Sequence, residues 1–158
     1  MIRISAVILT VFACGTAQAG QLFDGSGTGA GQSQNEIVIL GDGHMVMHSV
    51  GVYEPLATND PNSPMAGLPG KCFGSIEIRG GSATGAGHCV FANQEETAVI
   101  TDWQVTGLAA NGALSGQWTV VGAAGAATGL TGGGSFSNLT DRETGTFENT
   151  ITGALTMP

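Results

Sequence analysis

Apolar and polar side chains alternate along much of this chain, which is the pattern of half-buried β-strands. The alternation is clearest in Thr97–Thr106 and Gly145–Leu155. Turn-forming glycine, asparagine and aspartate residues separate such segments. The other predicted strands are Glu36–Leu40, His44–Tyr53, Lys71–Arg79, Ser82–Ala92, Ala113–Val121 and Ser135–Leu139. Beyond the N-terminal segment, the sequence shows no extended helical periodicity.

Eight successive strands joined mostly by short turns predict an all-β fold with a meander topology. Closing a meander into a barrel removes its unpaired edges. We therefore predict an eight-stranded antiparallel up-and-down barrel, and a β-sandwich of the same strands is the alternative. The interior of an eight-stranded barrel is wide enough for packed side chains or for one small ligand.

The segment Lys71–Val90 predicts a β-hairpin that turns at Gly80-Gly81, because two glycines can both adopt the positive φ of a type I′ turn. Cys72 and Cys89 lie equally far from that turn, so the hairpin makes them cross-strand partners in a non-hydrogen-bonded pair. The Cα separation of such a pair, about 4.5 Å, permits a disulfide. Two separate buried thiols are the alternative.

The inward faces of this hairpin differ in bulk. On the face that carries the cysteines, Ile76 and Ile78 lie opposite Gly85 and Ala83, and Gly74 lies opposite Gly87. A wall of glycines allows strong barrel curvature. It also allows another group, such as a ligand, to approach the backbone closely.

Residues 1–19 have the features of a secretory signal peptide. Arg3 supplies the positive charge, Ala6–Ala13 forms an apolar core, and Ala17–Ala19 is a small-x-small cleavage site. The alternative is a lipoprotein signal with Cys14 as the lipidated residue. We predict a secreted or periplasmic protein, in a compartment where disulfides form, with no membrane insertion after the signal is removed.

Three further segments lack the strand pattern. Residues 20–34 are rich in glycine and serine, a composition typical of a flexible leader, which leaves residues 35–158 as a single barrel domain. Glu54–Gly70 contains four of the five prolines, and we predict that this loop covers one mouth of the barrel. Gly122–Gly134 is predicted to be a small-residue connection between strands.

The chain is acidic, with a formal net charge of −8. Its basic residues beyond Arg3 are Lys71, Arg79 and Arg142. Such a surface repels phosphate backbones and anionic lipids, so we expect neither a nucleic-acid nor a membrane-surface partner. The sequence leaves the oligomeric state open.

Aromatic residues on the apolar strand faces are the candidate ligand-binding residues. Trp103, Trp118, Phe136 and Phe147 are predicted to lie nearest the core or cavity. No catalytic residue can be assigned. An acid–base role would require a carboxylate whose pKa is raised by burial. Asp102 and Glu148 are better candidates for this role than Glu36 or Glu54, but alternation places both on the polar face.

The sequence His44-Met45-Val46-Met47-His48 is the only pattern with metal-binding residue types. In a strand the two histidines share a face but lie about 13 Å apart, which is too far for one ion. Met45 and Met47 lie about 6.6 Å apart on the opposite face, and thioethers suit Cu(I). Methionines more often fill a core. We expect no metal and no cofactor.

Small-residue motifs in the C-terminal third carry a resemblance to a known family. These motifs are Val120-Val121-Gly122, Gly125, Thr128-Gly129, Gly132 and Thr144-Gly145. Together they resemble the C-terminal part of the allene oxide cyclase and dirigent barrels, although Ala123-Ala124 and Ala126-Ala127 replace that family's Gly-Thr and aromatic region. The resemblance implies an eight-stranded barrel and an isomerase or cyclase that encloses its substrate.

Three functions follow from these observations. The first is binding of a small apolar molecule in the barrel, the second is an isomerase or cyclase of the allene oxide cyclase/dirigent type, and the third is a structural surface protein without a site. An apolar cavity favours the first. A cavity of a few hundred Å³ with a buried carboxylate favours the second, and a filled core favours the third.

Overall fold

Eight long strands close into an antiparallel up-and-down barrel in the computed structural model, which describes residues 20–158. The predicted signal peptide lies outside the described residues. The strands in chain order are β1 (Gln21–Asp24), β2 (Gly27–Gly41), β3 (His44–Tyr53), β4 (Ala57–Thr58), β5 (Gly70–Arg79), β6 (Ser82–Ala92), β7 (Ala98–Leu108), β8 (Leu114–Ala124), β9 (Thr131–Thr140) and β10 (Thr146–Met157). The barrel prediction is therefore confirmed, and the sandwich alternative is wrong.

The order around the barrel is β2-β3-β5-β6-β7-β8-β9-β10, and β10 pairs back to β2. Two short strands lie outside this ring: β1 extends along the end of β10, and β4 pairs with the start of β2. Because the topology is up-and-down, successive turns alternate between two ends. The Glu54–Gly70 loop lies at one end, and the Gly80-Gly81 turn lies at the other.

The central hairpin has the predicted register. Gly80 and Gly81 form the turn with φ values of 57° and 81°, as a type I′ turn requires. Cys72 faces Cys89 across the two strands, and the two residues form a disulfide with a Cα separation of 4.0 Å. A disulfide indicates folding in an oxidising compartment.

The structure corrects the flexible leader predicted for residues 20–34. Residues 21–24 and 27–34 lie in β1 and β2, and residues 27–32 of β2 pair with β10 to close the barrel. Glycine is required there because bulky side chains lie over the strand. A Cβ at Gly29 would meet the Tyr53 ring at 2.8 Å, and one at Gly31 would meet Phe147 at 2.8 Å. The barrel domain therefore begins before residue 35.

The predicted connection Gly122–Gly134 is also shorter than expected. Strand β8 continues to Ala124, a single 3-10 turn spans Gly125–Ala127, and β9 begins at Thr131. The glycines at the start of β9 let neighbouring backbones approach closely. A Cβ at Gly133 would lie 2.5 Å from the Trp118 carbonyl oxygen.

Glycines in the barrel wall accommodate the large interior aromatics. A Cβ on Gly74 or Gly87 would overlap the Trp103 indole. A Cβ on Gly153 would come within 2.7 Å of Trp118, and Gly116 makes room for Phe136 in the same way. The glycines in the wall of the central hairpin therefore allow the Trp103 side chain of the same protein to approach the backbone closely.

The Glu54–Gly70 loop covers one end of the barrel. Leu56, Met65 and Leu68 of this loop are buried and belong to the main core cluster, together with Tyr53 and Phe91. The loop is held by backbone bonds from the Leu56 N–H to the Leu68 carbonyl (3.1 Å) and from the Gly67 N–H to the Leu56 carbonyl (2.9 Å). No helix within residues 20–158 has the length and hydropathy needed to cross a membrane.

Candidate functional site

A cavity of about 130 Å³ occupies the barrel interior beneath the Glu54–Gly70 loop. Leu56 and Met65 of the loop, the Cys72–Cys89 disulfide and the inward faces of the barrel strands contribute to its wall. The described residues that line this cavity include no aspartate, glutamate, lysine, arginine or histidine. The interior therefore suits an uncharged apolar molecule.

All four predicted aromatic residues lie on the cavity wall: Trp103, Trp118, Phe136 and Phe147. The inward alternation of β7, β8, β9 and β10 brings them together from four neighbouring strands. The Trp118 indole N–H donates to the Thr152 carbonyl at 3.2 Å, so this donor is already satisfied by the barrel. Trp118 consequently presents apolar surface to the cavity.

Tyr53 and Asn149 form a buried polar pair on the same wall, which the sequence analysis did not single out. Asn149 Nδ2 donates to Tyr53 Oη at 2.9 Å. The Tyr53 ring packs edge-on against Phe147 (4.6 Å between centroids) and Phe91 (5.6 Å). Burial raises the pKa of Tyr53 to about 12, although the hydrogen bond from Asn149 opposes that shift.

The other end of the barrel has a more polar wall. Ser33, Ser49, Asn138 and Thr140 line the cavity there, and all four are half-buried. The loop end is closed by the buried side chains Leu56 and Met65. The cavity thus has the apolar side chains Leu56 and Met65 at its loop end and a polar rim near the Asp141–Gly145 turn.

The candidate carboxylates do not reach this cavity. Asp102 lies on the outer face, where its Oδ1 is 2.6 Å from Nδ1 of His88, and both side chains are about half exposed. Glu36, Glu54 and Glu148 are exposed. Alternation correctly predicted the outward direction of Asp102 and Glu148, but it did not indicate the His88 partner.

The histidines of the His44–His48 segment show no shared site. His44 Nε2 lies 2.8 Å from Oε1 of Glu77 on the next strand, whereas His48 is exposed and faces Ser75. Within residues 20–158, no group of three or more His, Cys, Asp or Glu side chains is arranged to hold a metal ion.

One sequence feature could have revealed the Tyr53–Asn149 pair. Asn149 falls between Phe147 and Ile151 on the apolar face of the last strand, and a polar side chain at such a position requires a partner. The identity of that partner could not be derived, because Tyr53 is 96 residues away in the chain.

Comparisons with known proteins add no function to this geometry. No family model matches the sequence. No curated protein matches it either.

Proposed function

We propose that this chain is a secreted or periplasmic protein that binds a small apolar molecule inside its barrel. The observation that carries the proposal is the uncharged cavity of about 130 Å³, walled by Trp103, Trp118, Phe136 and Phe147. Cavities lined by aromatic side chains with few polar groups are typical of small-molecule sites. A purely structural protein has no need of such a space, so the cavity favours ligand binding over the role of a structural surface protein without a site.

Native mass spectrometry of the protein purified from the organism that makes it tests this proposal. We expect a co-purifying small molecule that is absent from the variant Ser49→Phe, because Ser49 lines the cavity and phenylalanine would fill it. Ser75→Phe is the matched control, since Ser75 is exposed on the outer face. Equal retention by both variants would place the molecule outside the barrel and contradict the proposal.

An isomerase or cyclase is the second candidate, and the resemblance to the allene oxide cyclase and dirigent barrels favours it. In such an enzyme, Tyr53 and Asn149 would be the buried polar groups nearest to the substrate. The described cavity residues offer no carboxylate or histidine for proton transfer. We therefore propose binding as the primary function.

Export by a signal peptide cleaved after Ala19 is part of the same proposal. The disulfide supports an oxidising destination, and cleavage at this point would leave β1 complete, since it begins at Gln21. N-terminal sequencing of the mature protein should therefore begin at Gly20. A blocked N-terminus at Cys14 with the added mass of lipid would instead show the lipoprotein alternative.

A further inference from the structure

The Tyr53–Asn149 pair has hydrogen-bonding capacity that the barrel does not use. Asn149 Oδ1 is buried and has no hydrogen-bond partner, a property that it shares among the described residues only with Ser63 Oγ. Tyr53 Oη accepts from Asn149, so its own proton remains available for donation. Both side chains are more than nine-tenths buried and line the cavity. The pair therefore holds one unpaired acceptor and one unpaired donor proton in side chains that line the cavity.

We propose that the cavity takes a neutral molecule with one hydroxyl group on a small apolar body, an inference that rests on the proposed binding function. The ligand hydroxyl would donate to Asn149 Oδ1 and accept from the Tyr53 hydroxyl, which satisfies both members of the pair. An unmade hydrogen bond at a buried acceptor is unfavourable, so filling it adds affinity.

The size of the cavity and the absence of charged groups in its wall further restrict the class of molecule that it can bind. Its volume of about 130 Å³ is close to that of an engineered apolar cavity of about 150 Å³ that binds benzene, so one ring is the expected scale. A carboxylate would meet the lone pairs of Asn149 Oδ1 in a wall without a positive charge. Tyr53 is buried at the same position, and burial, which raises its pKa to about 12, disfavours a negative charge there.

Titrations with phenol, toluene and benzoate test this inference. Binding to the full barrel can be followed by NMR through the indole N–H signals of Trp103 and Trp118, the only two tryptophans and both cavity residues. We expect phenol to bind up to about tenfold more tightly than toluene, as a satisfied neutral hydrogen bond allows. Benzoate should not bind.

Two variants separate the polar pair from the cavity itself. Asn149→Leu and Tyr53→Phe should each reduce the preference for phenol over toluene toward onefold, while toluene binding is retained. Equal binding of phenol and toluene by the native protein, or a preference unchanged in both variants, would overturn the inference and leave the proposed function intact. Failure of both phenol and toluene to bind would count against the proposed function as well.

A second, independent inference concerns the outer edge of β2. Beyond Ser33, whose N–H donates to the Gly145 carbonyl at 2.8 Å, no strand within residues 20–158 pairs with β2 on the side away from β3. We call residues 34–39 the β2 free edge. Its last three side chains are apolar and exposed, with Ile37 (52%) and Ile39 (75%) on one face and Val38 (52%) on the other. Such an edge can accept another strand.

The hydrogen-bonding direction of this edge restricts its partner. Because Ser33 points its N–H away from β3, strand alternation points Asn35, Ile37 and Ile39 the same way. A register shift after Ile39 ends this regular stretch. A second copy in antiparallel orientation with Ile37 opposite Ile37 would pair all three outward residues, since Asn35 would then face Ile39.

Charge is compatible with this register, because pairing centred on Ile37 places Glu36 opposite the neutral Val38. We infer that two copies of this chain associate through their β2 free edges about a two-fold axis at Ile37. The contact is isologous, as is usual for a dimer with two-fold symmetry.

Sedimentation velocity over a range of concentrations tests this second inference. We expect a dimer that dissociates in the variant Ile37→Lys, which would place two ammonium groups at the axis. Ile100→Lys is the matched control, because Ile100 is an exposed isoleucine on the outer face of β7, and it should remain dimeric. A native protein that stays monomeric throughout, or a dimer lost only in the control variant, would overturn the inference.

Cysteine cross-linking tests the register. An Ile37→Cys variant should form a disulfide-linked dimer under mild oxidation, since a hydrogen-bonded cross-strand pair has a Cα separation of about 5.5 Å. Val38→Cys should cross-link far less. The native chain is the control for cross-linking through the cysteines that both variants retain, such as Cys72 and Cys89. Efficient cross-linking of Val38→Cys with none in Ile37→Cys would overturn the Ile37 axis.

Discussion

Tyr53 combines the packing and the polar chemistry of the cavity in one side chain. Its ring lies edge-on to Phe91 and Phe147, while its hydroxyl accepts from Asn149. Burial raises its pKa to about 12 from an ordinary value near 10. The folded state holds the phenol proton of Tyr53 more tightly than the unfolded state does, so protonated Tyr53 contributes to the free energy of unfolding. This contribution is fully present below about pH 10. It is lost as the pH rises toward about 12.

Absorbance at 295 nm can follow this titration directly, because Tyr53 is the only tyrosine in the chain. We expect phenolate formation with a midpoint near 12 in the folded protein and near 10 in denaturant. The Asn149→Leu variant should shift the folded midpoint upward, since the Asn149 hydrogen bond lowers the pKa of Tyr53. A folded midpoint near 10 would show that the ring is not buried.

Individual residues were predictable from the sequence where alternation alone decides their direction. Alternation predicts an interior position for Trp103, Trp118, Phe136 and Phe147, because each lies on an apolar strand face. The partners of His88 and Asn149 were not predictable, because such partners depend on which strands are neighbours and on their register. The one long-range pairing that was derived, Cys72 with Cys89, lies within a single hairpin whose turn fixes the register.

At the scale of elements, glycine has two distinct roles in this barrel. In the Gly80-Gly81 turn it permits positive φ, and a Cβ at either position would meet no atom within 4 Å. Within the strands it makes room for aromatic rings, as at Gly74 and Gly87 beneath Trp103. The first role is conformational and the second is steric, so substitutions can separate them.

Gly80→Ala tests the conformational role alone. We expect it to lower the free energy of unfolding by about 1–2 kcal/mol, the cost of placing a Cβ at positive φ. Gly122→Ala is the matched control, because a Cβ there makes only ordinary contacts of 3.5 Å or more with Ile100. The control should be neutral or slightly stabilising. Urea denaturation measures both, and equal effects would contradict the turn geometry.

The elements that the sequence analysis missed are those in which glycine hides the pattern. Alternation correctly indicated all eight barrel strands, but the first half of β2 and the start of β9 contain too few side chains to show a period. Their composition is that of a flexible linker. Pairing with β10 makes both segments strands, and this pairing depends on residues distant in the chain.

On the scale of the whole molecule, the disulfide joins β5 and β6, two neighbouring strands of the barrel wall. Both cysteines are buried, and the bond closes a loop with a sequence separation of 17 residues. The chain-entropy account of cross-links assigns a loop of this size about 3 kcal/mol. The bond therefore contributes a substantial share of the stability of a domain of this size.

The double variant Cys72→Ala/Cys89→Ala should lower the free energy of unfolding by about 3 kcal/mol, since its unfolded chain regains the freedom that the cross-link removes. Urea denaturation provides the measurement, and native protein with its disulfide chemically reduced is the control that keeps the sequence unchanged. Non-reducing peptide mapping should find Cys72 joined to Cys89. An unchanged unfolding midpoint in the double variant would contradict the expected contribution.

The pairing between β2 and β10, which closes the barrel, sets the order of events during biosynthesis. The first long strand of the barrel gains its second neighbour only from the last strand, where Gly27 meets Ile151. A ribosome or translocation channel delivers the chain from its N-terminus, so the ring cannot close until nearly the whole polypeptide has emerged. Pairings between such distant segments form slowly. The growing chain consequently lacks a closed ring during synthesis, which is compatible with the export proposed above.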